Sequence, residues 1–502
     1  MSARQDSDDV AWERSDEVWD EDMRRAQRNS VGHKIEAFAG NMFGSPATVV
    51  DPIILGGFNA LYPVRIQGRS DAVLVRCPLS HRPLFPEEQT LSEAATIMFL
   101  SQHTRIPIPK LSNYGVDTDI GPFLVMQDLG SRRDLCDVLA APRESFDETP
   151  VLAADIPESK LLEVYHKLGS FLLQMAQFTF PRIGSLVETS PGSFDVLTRP
   201  MTVNMATIVH QSNIPRSILP AKDTTYPTAD AWYTALADLQ LATLLFQHND
   251  MVESADDCRT KYVARQLFRR LAKQGRLSSF GFSDDRWSAQ AKSLTVTGAL
   301  PAPPSGPGDG AFRLWADDFR PANILVADDG SDAILGAVDW EFAYAAPAQF
   351  VLNPPWWLLL QVPELWEDGL EDWARVYDGR VRTWLAALEA AERDMPEGAF
   401  LLAGYMRQSW ETGRFWLDYA ARKSFAFDAI YWKYLDGMFF GEREEGLPRE
   451  ELWKTRVDLL GEEERDAMER MVQIKMEEAK ERVLVEWWDE EARERLASFL
   501  FD

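Results

Sequence analysis

Residues Leu314–Tyr344 read LWADDFRPANILVADDGSDAILGAVDWEFAY and decide the fold prediction for the chain. Two short apolar runs stand in this stretch, Ile324–Val326 and Ile334–Val338, and the sequence ADDGS lies between them at 327–331. Apolar runs on either side of a turn-forming segment indicate two paired strands. The stretch therefore predicts a β-hairpin with polar side chains just outside both strands.

Three of these polar side chains carry oxygen atoms that suit phosphate chemistry. Asp318 and Asn323 stand five residues apart before the first strand, and Asp339 ends the second. Phosphoryl transfer needs a group that orients or deprotonates the acceptor hydroxyl, and oxygen ligands for the Mg²⁺ that neutralises ATP phosphates. We interpret Asp318 as that base, and Asn323 and Asp339 as metal ligands. Glu341 fits either a second metal contact or a brace, and the alternative for the whole set is a solvated acidic turn.

The order and spacing of these residues resemble the catalytic and metal loops of the protein-kinase-like superfamily. In particular, ADDFRPANIL followed by VDWE is similar to the HGDxxPxNIL and IDWE motifs of the aminoglycoside phosphotransferase (APH) and choline kinase group. Ala316 stands where that family usually has a histidine that braces the loop. The resemblance implies an α+β fold of two lobes, a small β-rich N-lobe and a large, mostly α-helical C-lobe. It also implies an ATP- and Mg²⁺-dependent phosphotransferase that passes the γ-phosphate to a hydroxyl of a small molecule.

Upstream, short apolar runs from Ile53 onward are typical of strands, and a glycine pair interrupts the first of them. Glycine lets backbone amides approach phosphates closely, although an ordinary hairpin turn explains such a pair equally well. Arg76 occupies the strand position where kinases place the lysine that meets the α and β phosphates. Glu93, in the segment Ser92–Ala94 that opens the next predicted helix, is either its ion-pair partner or a first-turn acid favoured by the helix dipole. The predicted nucleotide-binding residues are Gly56, Gly57, Phe58, Asn59, Arg76, Glu93, Met126 and Gln127.

The last two of these residues end a buried strand that leads, in the resembling family, into the hinge between the lobes. The segment Leu91–Pro109, LSEAATIMFLSQHTRIPIP, resembles the TxSEVATMxYLxxxTxIPVP pattern of fungal members of the APH-like family. This resemblance assigns the chain to the fungal branch of the family and extends over roughly residues 45–440.

Composition marks the two charged ends of the chain, and the resemblance implies the two lobes between them, which gives four predicted parts. Residues 1–40 form an acidic segment, 41–128 the nucleotide-binding N-lobe, 129–440 the catalytic C-lobe with an insertion at about 193–313, and 441–502 a charged helical tail. Trp12 and Trp19 share one helical face, so the first segment is either a docked amphipathic helix or a mobile tail. The tail is expected to pack along the C-lobe, and 302–310 reads as a flexible linker.

Net charge and cysteine content restrict the class of protein. The 502 residues carry a formal charge of -27, which disfavours nucleic acid and anionic membranes as partners and favours a cationic acceptor. Three scattered cysteines indicate a reducing compartment, and no apolar run reaches the ~18 residues of a membrane span. We therefore expect a cytoplasmic protein.

A second function class competes with the kinase interpretation. A pseudokinase-like scaffold that binds nucleotide, or nothing, without turnover is favoured by two departures from the family pattern, Ala316 for histidine and Arg76 for lysine. The presence of Asp318, Asn323 and Asp339 together favours the enzyme, because scaffolding alone has no physical need for all three.

Overall fold

The computed structural model describes residues 8–143, 145, 148–283, 285, 300–304, 310–444 and 446–501. These residues form a small lobe built on an antiparallel sheet and a larger, mostly helical lobe. The predicted α+β fold of two lobes, a small β-rich one and a large, mostly helical one, is thereby confirmed. The predicted linker at 302–310 lies partly outside the described residues.

The small lobe combines one sheet with three helices. In chain order its elements are α1 (Asp9–Ala26), α2 (Asn29–Phe43), β1 (Ala47–Val49), β2 (Ile54–Leu55), β3 (Asn59–Ile66), β4 (Val73–Pro78), α3 (Pro86–His103), β5 (Leu111–Gly115) and β6 (Phe123–Gln127). The strand order is β1-β3-β4-β6-β5, with β2 also paired to β3 and every pairing antiparallel. Strand β4 is therefore central and has α3 following it in sequence.

The alternation of side chains along β4 decides what each face of the sheet contacts. Val73 and Val75 belong to a core cluster that also contains Ile35 of α2. Leu74 points to the opposite face and packs with α3 and the large lobe. Because strand side chains alternate with a period of two, Arg76 lies on the face of Leu74, toward α3.

Helix α3 begins earlier than predicted. The sequence placed its start at Ser92–Ala94, whereas the helix begins at Pro86. Proline at the first helical position and acids in the first turn, here Glu87 and Glu88, are favourable helix starts. Glu93 therefore lies in the helix interior and is 1% exposed, so the first-turn explanation for this acid is wrong.

The large lobe is built mainly from helices. Its helices are α4 (Leu135–Leu139), α5 (Glu158–Ala176), α6 (Val203–Ser212), α7 (Ala229–Phe246), α8 (Ala255–Lys273), α9 (Arg276–Ser279), α10 (Ala348–Val351), α11 (Gly369–Glu392), α12 (Ala403–Thr412), α13 (Arg414–Arg422), α14 (Phe427–Ile430), α15 (Asp436–Phe440), α16 (Glu462–Glu478) and α17 (Asp489–Ala497). Short 3₁₀ segments occupy Arg216–Ile218, Pro321–Asn323, Trp356–Leu359, Pro363–Leu365, Ser424–Ala426, Arg449–Thr455 and Val457–Leu459, and a π-helical turn occupies Tyr431–Leu435.

Short strands complete the large lobe. They are β7 (Thr179–Phe180), β8 (Ser185–Ser190), β9 (Ser193–Thr198), β10 (Phe312–Ala316), β11 (Ile324–Val326), β12 (Ile334–Ala337) and β13 (Ala343–Pro347). Strand β10 lies between β13 and β7, and β11 pairs with β12 in antiparallel register, with Ile324 opposite Ala337. The predicted hairpin is confirmed.

Helices between β9 and β10 belong to the core of the large lobe. Trp232 and Tyr233 of α7 and Tyr262 of α8 have no exposed surface. The tail helix α16 packs on α8, and Lys475 donates to Gln247 O at 2.8 Å. The 3₁₀ turn Arg216–Ile218 contacts α17. The tail thus lies against the large lobe.

The sequence left open whether the start of the chain is a docked helix or a mobile tail. In the structure, helix α1 is docked on the rest of the protein. Asp8, which has no exposed surface, caps α1 and accepts two hydrogen bonds from Asn249 Nδ2. At the other end, Tyr62 donates to Ala26 O at 3.0 Å. Helix α1 therefore runs from the large lobe to the small one. In the part of the chain that the structure describes, no helix combines the length and apolar character that crossing a membrane requires.

Candidate active site

The hairpin brings the three predicted oxygen-bearing residues to one place. Val338 N donates to Asn323 O at 2.9 Å, which sets Asn323 beside the residue that precedes Asp339. Asn323 Nδ2 donates to the backbone oxygen of Asp318 at 2.8 Å and to its Oδ2 at 3.0 Å. The loop and both strand ends therefore form one connected unit.

Asp339 has an unusual backbone. Its φ of 64° places it in the left-handed region, which side chains other than glycine adopt rarely and at a cost in free energy. Its side chain is 35% exposed, and Oδ1 lies 3.0 Å from Arg76 Nη2. A strained residue with an accessible carboxylate in a cleft is typical of a functional position.

The carboxylate of Asp318 is the candidate base. Burial is the largest influence on it and raises its pKa, and the negative charge of Asp339 acts in the same direction, while Arg320 opposes both. Arg320 Nε lies 2.9 Å from Asp318 Oδ1. A raised pKa strengthens a carboxylate as a proton acceptor, since general bases work best when their pKa approaches the working pH.

Arg76 links the two lobes. It forms an ion pair with Glu93 of α3, and its Nη2 approaches Asp339 Oδ1 at 3.0 Å and Glu341 Oε2 at 3.5 Å. Arg76 is 6% exposed, so these contacts form away from bulk water. One guanidinium thus contacts three carboxyl groups, Glu93 from the small lobe and Asp339 and Glu341 from the large lobe.

Glu341 is almost fully enclosed. Its side chain is 3% exposed, and it accepts hydrogen bonds from Asn59 Nδ2 at 3.2 Å and Gln89 Nε2 at 3.5 Å. Burial, followed by the charge of Asp339, raises the pKa of Glu341 to about 8. The sequence left a metal contact and a bracing role open, and the observed contacts are those of a brace.

The glycine turn between β2 and β3 lies at the edge of the same cleft. Gly56 N donates to Asn59 O at 2.8 Å, which closes the turn. The two glycine carbonyls are held from the outer side, Gly56 O by Trp19 Nε1 at 3.5 Å and Gly57 O by Arg82 Nε at 3.2 Å. A Cβ on Gly57 would meet nothing within 4 Å, so this turn borders open space.

The other predicted nucleotide contacts lie around this turn and at the hinge. Phe58 packs edge to face on Phe342, with 5.4 Å between ring centroids. Met126 is 6% exposed in β6, and Gln127 follows it. Because Gln127 N donates to Lys110 O at 2.9 Å, this N–H is already used by the sheet.

The loop around Ala316 is braced by its neighbour. Asp317 is 4% exposed and accepts hydrogen bonds from Val203 N at 3.0 Å and Trp315 Nε1 at 3.2 Å. Arg422 Nη1 lies 3.5 Å from the same carboxylate. These contacts fix the start of the loop that carries Asp318 without a histidine.

The donor set fits a hard cation and phosphate groups. Within the described ranges, Asn323 Oδ1 and Asp339 Oδ2 accept no hydrogen bond, and hard ions such as Mg²⁺ prefer such oxygens together with nucleotide phosphates. The described residues contain no cluster of three or more His, Cys, Asp or Glu side chains suited to a metal. The space beside Gly57 and the accessible carboxylate of Asp339 suit a cation that arrives with phosphates.

Sequence reasoning did not single out four of the contacts just described. Gln89 and Asp317 acquire their roles through residues far away in the chain, and no local pattern marks them. Trp19 was noticed only as part of a helical face, and its contact with Gly56 O was not predicted. Arg320 had a usable signal, because it stands two residues after Asp318 inside the quoted motif. A cation that close to a candidate base is a natural ion-pair partner.

Known proteins resemble this chain only at low similarity. The sequence has no matching protein-family model and no significantly similar curated protein. Similar solved structures include a mutant of aminoglycoside 2′-phosphotransferase-IIIa with GDP, at 11% identity and TM-score 0.38, covering 85% of this chain and 98% of that chain. A ternary complex of a thermostable mutant of aminoglycoside phosphotransferase APH(4)-Ia with AMP-PNP and hygromycin B has 15% identity and TM-score 0.35, with 88% and 98% covered.

An ethanolamine kinase from Plasmodium vivax has 11% identity and TM-score 0.34, with 82% of this chain and 81% of that chain covered. These similar structures are aminoglycoside phosphotransferases and an ethanolamine kinase. At such TM-scores and identities they carry no argument about activity, so the function of this chain has to be inferred from its own site.

Proposed function

We propose that this protein is an ATP- and Mg²⁺-dependent phosphotransferase that transfers the γ-phosphate of ATP to a hydroxyl of a small molecule. The single observation that carries the proposal is the convergence of Arg76, from the small lobe, with Asp339, Asn323 and Asp318, from the large lobe. An arginine held by Glu93 beside a carboxylate and amide pair suits polyphosphate binding. The sequence resemblance supports the finer proposal of an APH-like enzyme of the fungal branch.

The side chains divide the work of the reaction. Asp318 orients the acceptor hydroxyl and takes its proton, and Asn323 keeps that carboxylate in place through its amide hydrogen bond. Arg76 orients the phosphates and is itself positioned by Glu93. Asn323 and Asp339 would hold Mg²⁺, which neutralises phosphate charge when bound. Gly56 and Gly57 leave room for phosphates beside the turn.

A hydroxyl-bearing small molecule is the proposed acceptor, and the charge of -27 favours one that is cationic. The rival proposal is a nucleotide-binding scaffold without turnover. It is favoured by the observation that Arg76 is already shared among three carboxylates.

Binding and turnover are separable by two variants. Mg·ATP is expected to raise the melting temperature of the wild type, since a ligand at 100 times its Kd adds about 2.7 kcal/mol of stability. Asp339→Ala should lose this Mg²⁺-dependent shift. Asp318→Ala should keep it and lose transfer of labelled phosphate to a panel of small-molecule alcohols and aminoalcohols.

The outcomes distinguish the two functions. Transfer that persists in Asp318→Ala would show that the base is assigned wrongly. Binding without transfer in the wild type, across acceptors and pH, would favour the scaffold. No thermal shift with Mg·ATP in the wild type would contradict nucleotide binding itself.

A further inference from the structure

Three side chains of the small lobe converge on one carboxylate of the large lobe. Asn59, directly after the glycine turn, contacts Glu341 Oε1 at 3.2 Å. Gln89 of α3 and Arg76 of β4 each lie 3.5 Å from Oε2. The turn, the helix and the central strand therefore all reach the same residue, which stands 282 positions from Asn59 in the chain.

These contacts are shielded from water. Asn59 is 6% exposed, Gln89 4% and Glu341 3%. A buried carboxylate without partners is costly, and hydrogen bonds inside a low-dielectric interior are stronger than those at a surface. Separating the lobes would therefore cost more than breaking exposed polar contacts.

The carboxylate is rigidly connected to the proposed metal ligand. Trp340 lies between Asp339 and Glu341, is 2% exposed and donates from Nε1 to Ala337 O at 3.2 Å. Phe342, the next residue, packs on Phe58 of the glycine turn. A displacement of the glycine turn is thus transmitted to the backbone that carries Asp339.

We propose that Asn59 and Gln89 are positioning residues that clamp Glu341 and so hold the metal-binding segment in place. We call the set Asn59, Gln89 and Glu341 the interlobe clasp. The clasp couples closure of the two lobes to binding of a divalent cation at Asn323 and Asp339. That the clasp holds the segment around Asp339 in place is inferred from the contacts alone, and we call this its mechanical part. The coupling to cation binding rests on the proposed function.

Gln89 is the better residue for a test, because Asn59 is also a predicted phosphate contact. Gln89→Met keeps the length and volume of the side chain and removes the amide that contacts Glu341. Gln102→Ala, an exposed amide on the same helix, is the matched control. Asn59→Leu is the second variant, and circular dichroism and melting temperature verify that each variant folds.

Hydrogen exchange without ligand tests the mechanical part. Amides of residues 338–343, in the large lobe, should exchange at least threefold faster in Gln89→Met and Asn59→Leu than in the wild type, since local opening sets the exchange rate. Gln102→Ala should match the wild type. Unchanged exchange at 338–343 in both folded variants would overturn the clasp, because a merely local role of Gln89 affects only its own lobe.

Binding of ADP with Mg²⁺ and with EDTA, measured by calorimetry, tests the coupling. Gln89→Met should lower the Mg²⁺-dependent gain in ADP affinity three- to tenfold and change the affinity in EDTA less than twofold. If the Mg²⁺-dependent gain in ADP affinity is the same in Gln89→Met as in the wild type, the proposed coupling is wrong. Faster exchange in a protein that binds no ADP at all would instead support the clasp and contradict the proposed function.

Discussion

Asp339 combines backbone strain with crowding by like charges. Its left-handed φ of 64° is tolerated best by glycine and asparagine, and its carboxylate raises the pKa of both Asp318 and Glu341. Strain and like-charge proximity that persist in a folded protein are commonly retained for function at the expense of stability.

Asp339→Asn should therefore stabilise the protein without ligand while removing its response to Mg·ATP. Asparagine tolerates the backbone, and its Oδ1 can still accept the hydrogen bond from Arg76 Nη2. Losing one negative charge relieves the neighbouring carboxylates, so we expect a gain of about 0.5–1.5 kcal/mol in the free energy of unfolding. Thermal denaturation with and without Mg·ATP measures both effects. Asp329→Asn, in the exposed turn of the same hairpin, should alter neither, and a destabilised Asp339→Asn would contradict the strain argument.

His210 predicts a pH dependence of stability. Burial is the main cause that lowers the pKa of His210 to about 4, from an ordinary value near 6.5, and the charge of Arg82 adds to it. Between these values the unfolded chain binds a proton that the folded protein does not. The contribution of neutral His210 to the free energy of unfolding is therefore fully present above pH 6.5. It is lost as the pH falls toward 4, and the free energy of unfolding then decreases by up to about 1.36 kcal/mol per pH unit.

His210→Gln should flatten this acid slope, because glutamine keeps a donor near Arg82 O, which His210 Nε2 contacts at 2.6 Å, and does not titrate. Urea unfolding at pH 7, 6 and 5 gives the slope. The same substitution at the exposed His33 serves as control, and an unchanged slope in His210→Gln would assign the acid sensitivity to other groups.

At the scale of elements, the connection from α5 to β8 depends on one close backbone approach. Gly184 exchanges backbone hydrogen bonds with Ala345 of β13 at 2.8 and 3.0 Å. A Cβ at this position would lie 2.5 Å from Thr198 O and 2.9 Å from a methyl group of Val196. Neither the backbone oxygen nor the packed strand can move away easily.

Gly184→Ala should destabilise the protein by about 2 kcal/mol or more, since overpacking forces the backbone to shift. Gly32→Ala, inside α2 with nothing within 4 Å of the added Cβ, should be neutral or stabilising by about 0.5–1 kcal/mol. Melting temperatures of the two variants under identical conditions compare the sites. Equal changes in melting temperature would mean that the backbone around β8 and β9 moves easily enough to accommodate the added Cβ at position 184.

At the scale of the whole molecule, α1 connects the two lobes on the outer side of the glycine turn. Its start is held by Asn249 and its middle by the contact of Trp19 with Gly56 O. Farther along, Asp22 accepts from His81 N at 3.0 Å. Together with the interlobe clasp, α1 restricts how far the lobes separate.

Asp8→Ala should release the start of α1. The substitution removes a helix cap and leaves the buried Asn249 amide without its carboxylate, so we expect a loss of about 2–4 kcal/mol in stability. We also expect faster release of a fluorescent ADP analogue in stopped flow. Asp20→Ala, exposed in the same helix, is the control, and unchanged stability in Asp8→Ala would show that α1 does not tie the lobes.

The sequence by itself determined the features that depend on neighbouring residues. The hairpin at Leu314–Tyr344 could be predicted because apolar runs and turn residues act over a few positions. Its register, with Ile324 opposite Ala337, was seen only in the structure. The two-lobed α+β fold followed from the resemblance of the motifs. The resemblance to the kinase pattern also led to Arg76 and Glu93 as a possible ion pair, which the structure contains.

Only the tertiary structure decided how the lobes meet. Asn59 and Gln89 reach Glu341, Asp317 binds the start of α6, and α1 covers the glycine turn, although these partners are widely separated in the chain. Such contacts form only once the cleft closes and both partners leave water. Their free energy depends on burial and distance, which no local pattern of side chains encodes.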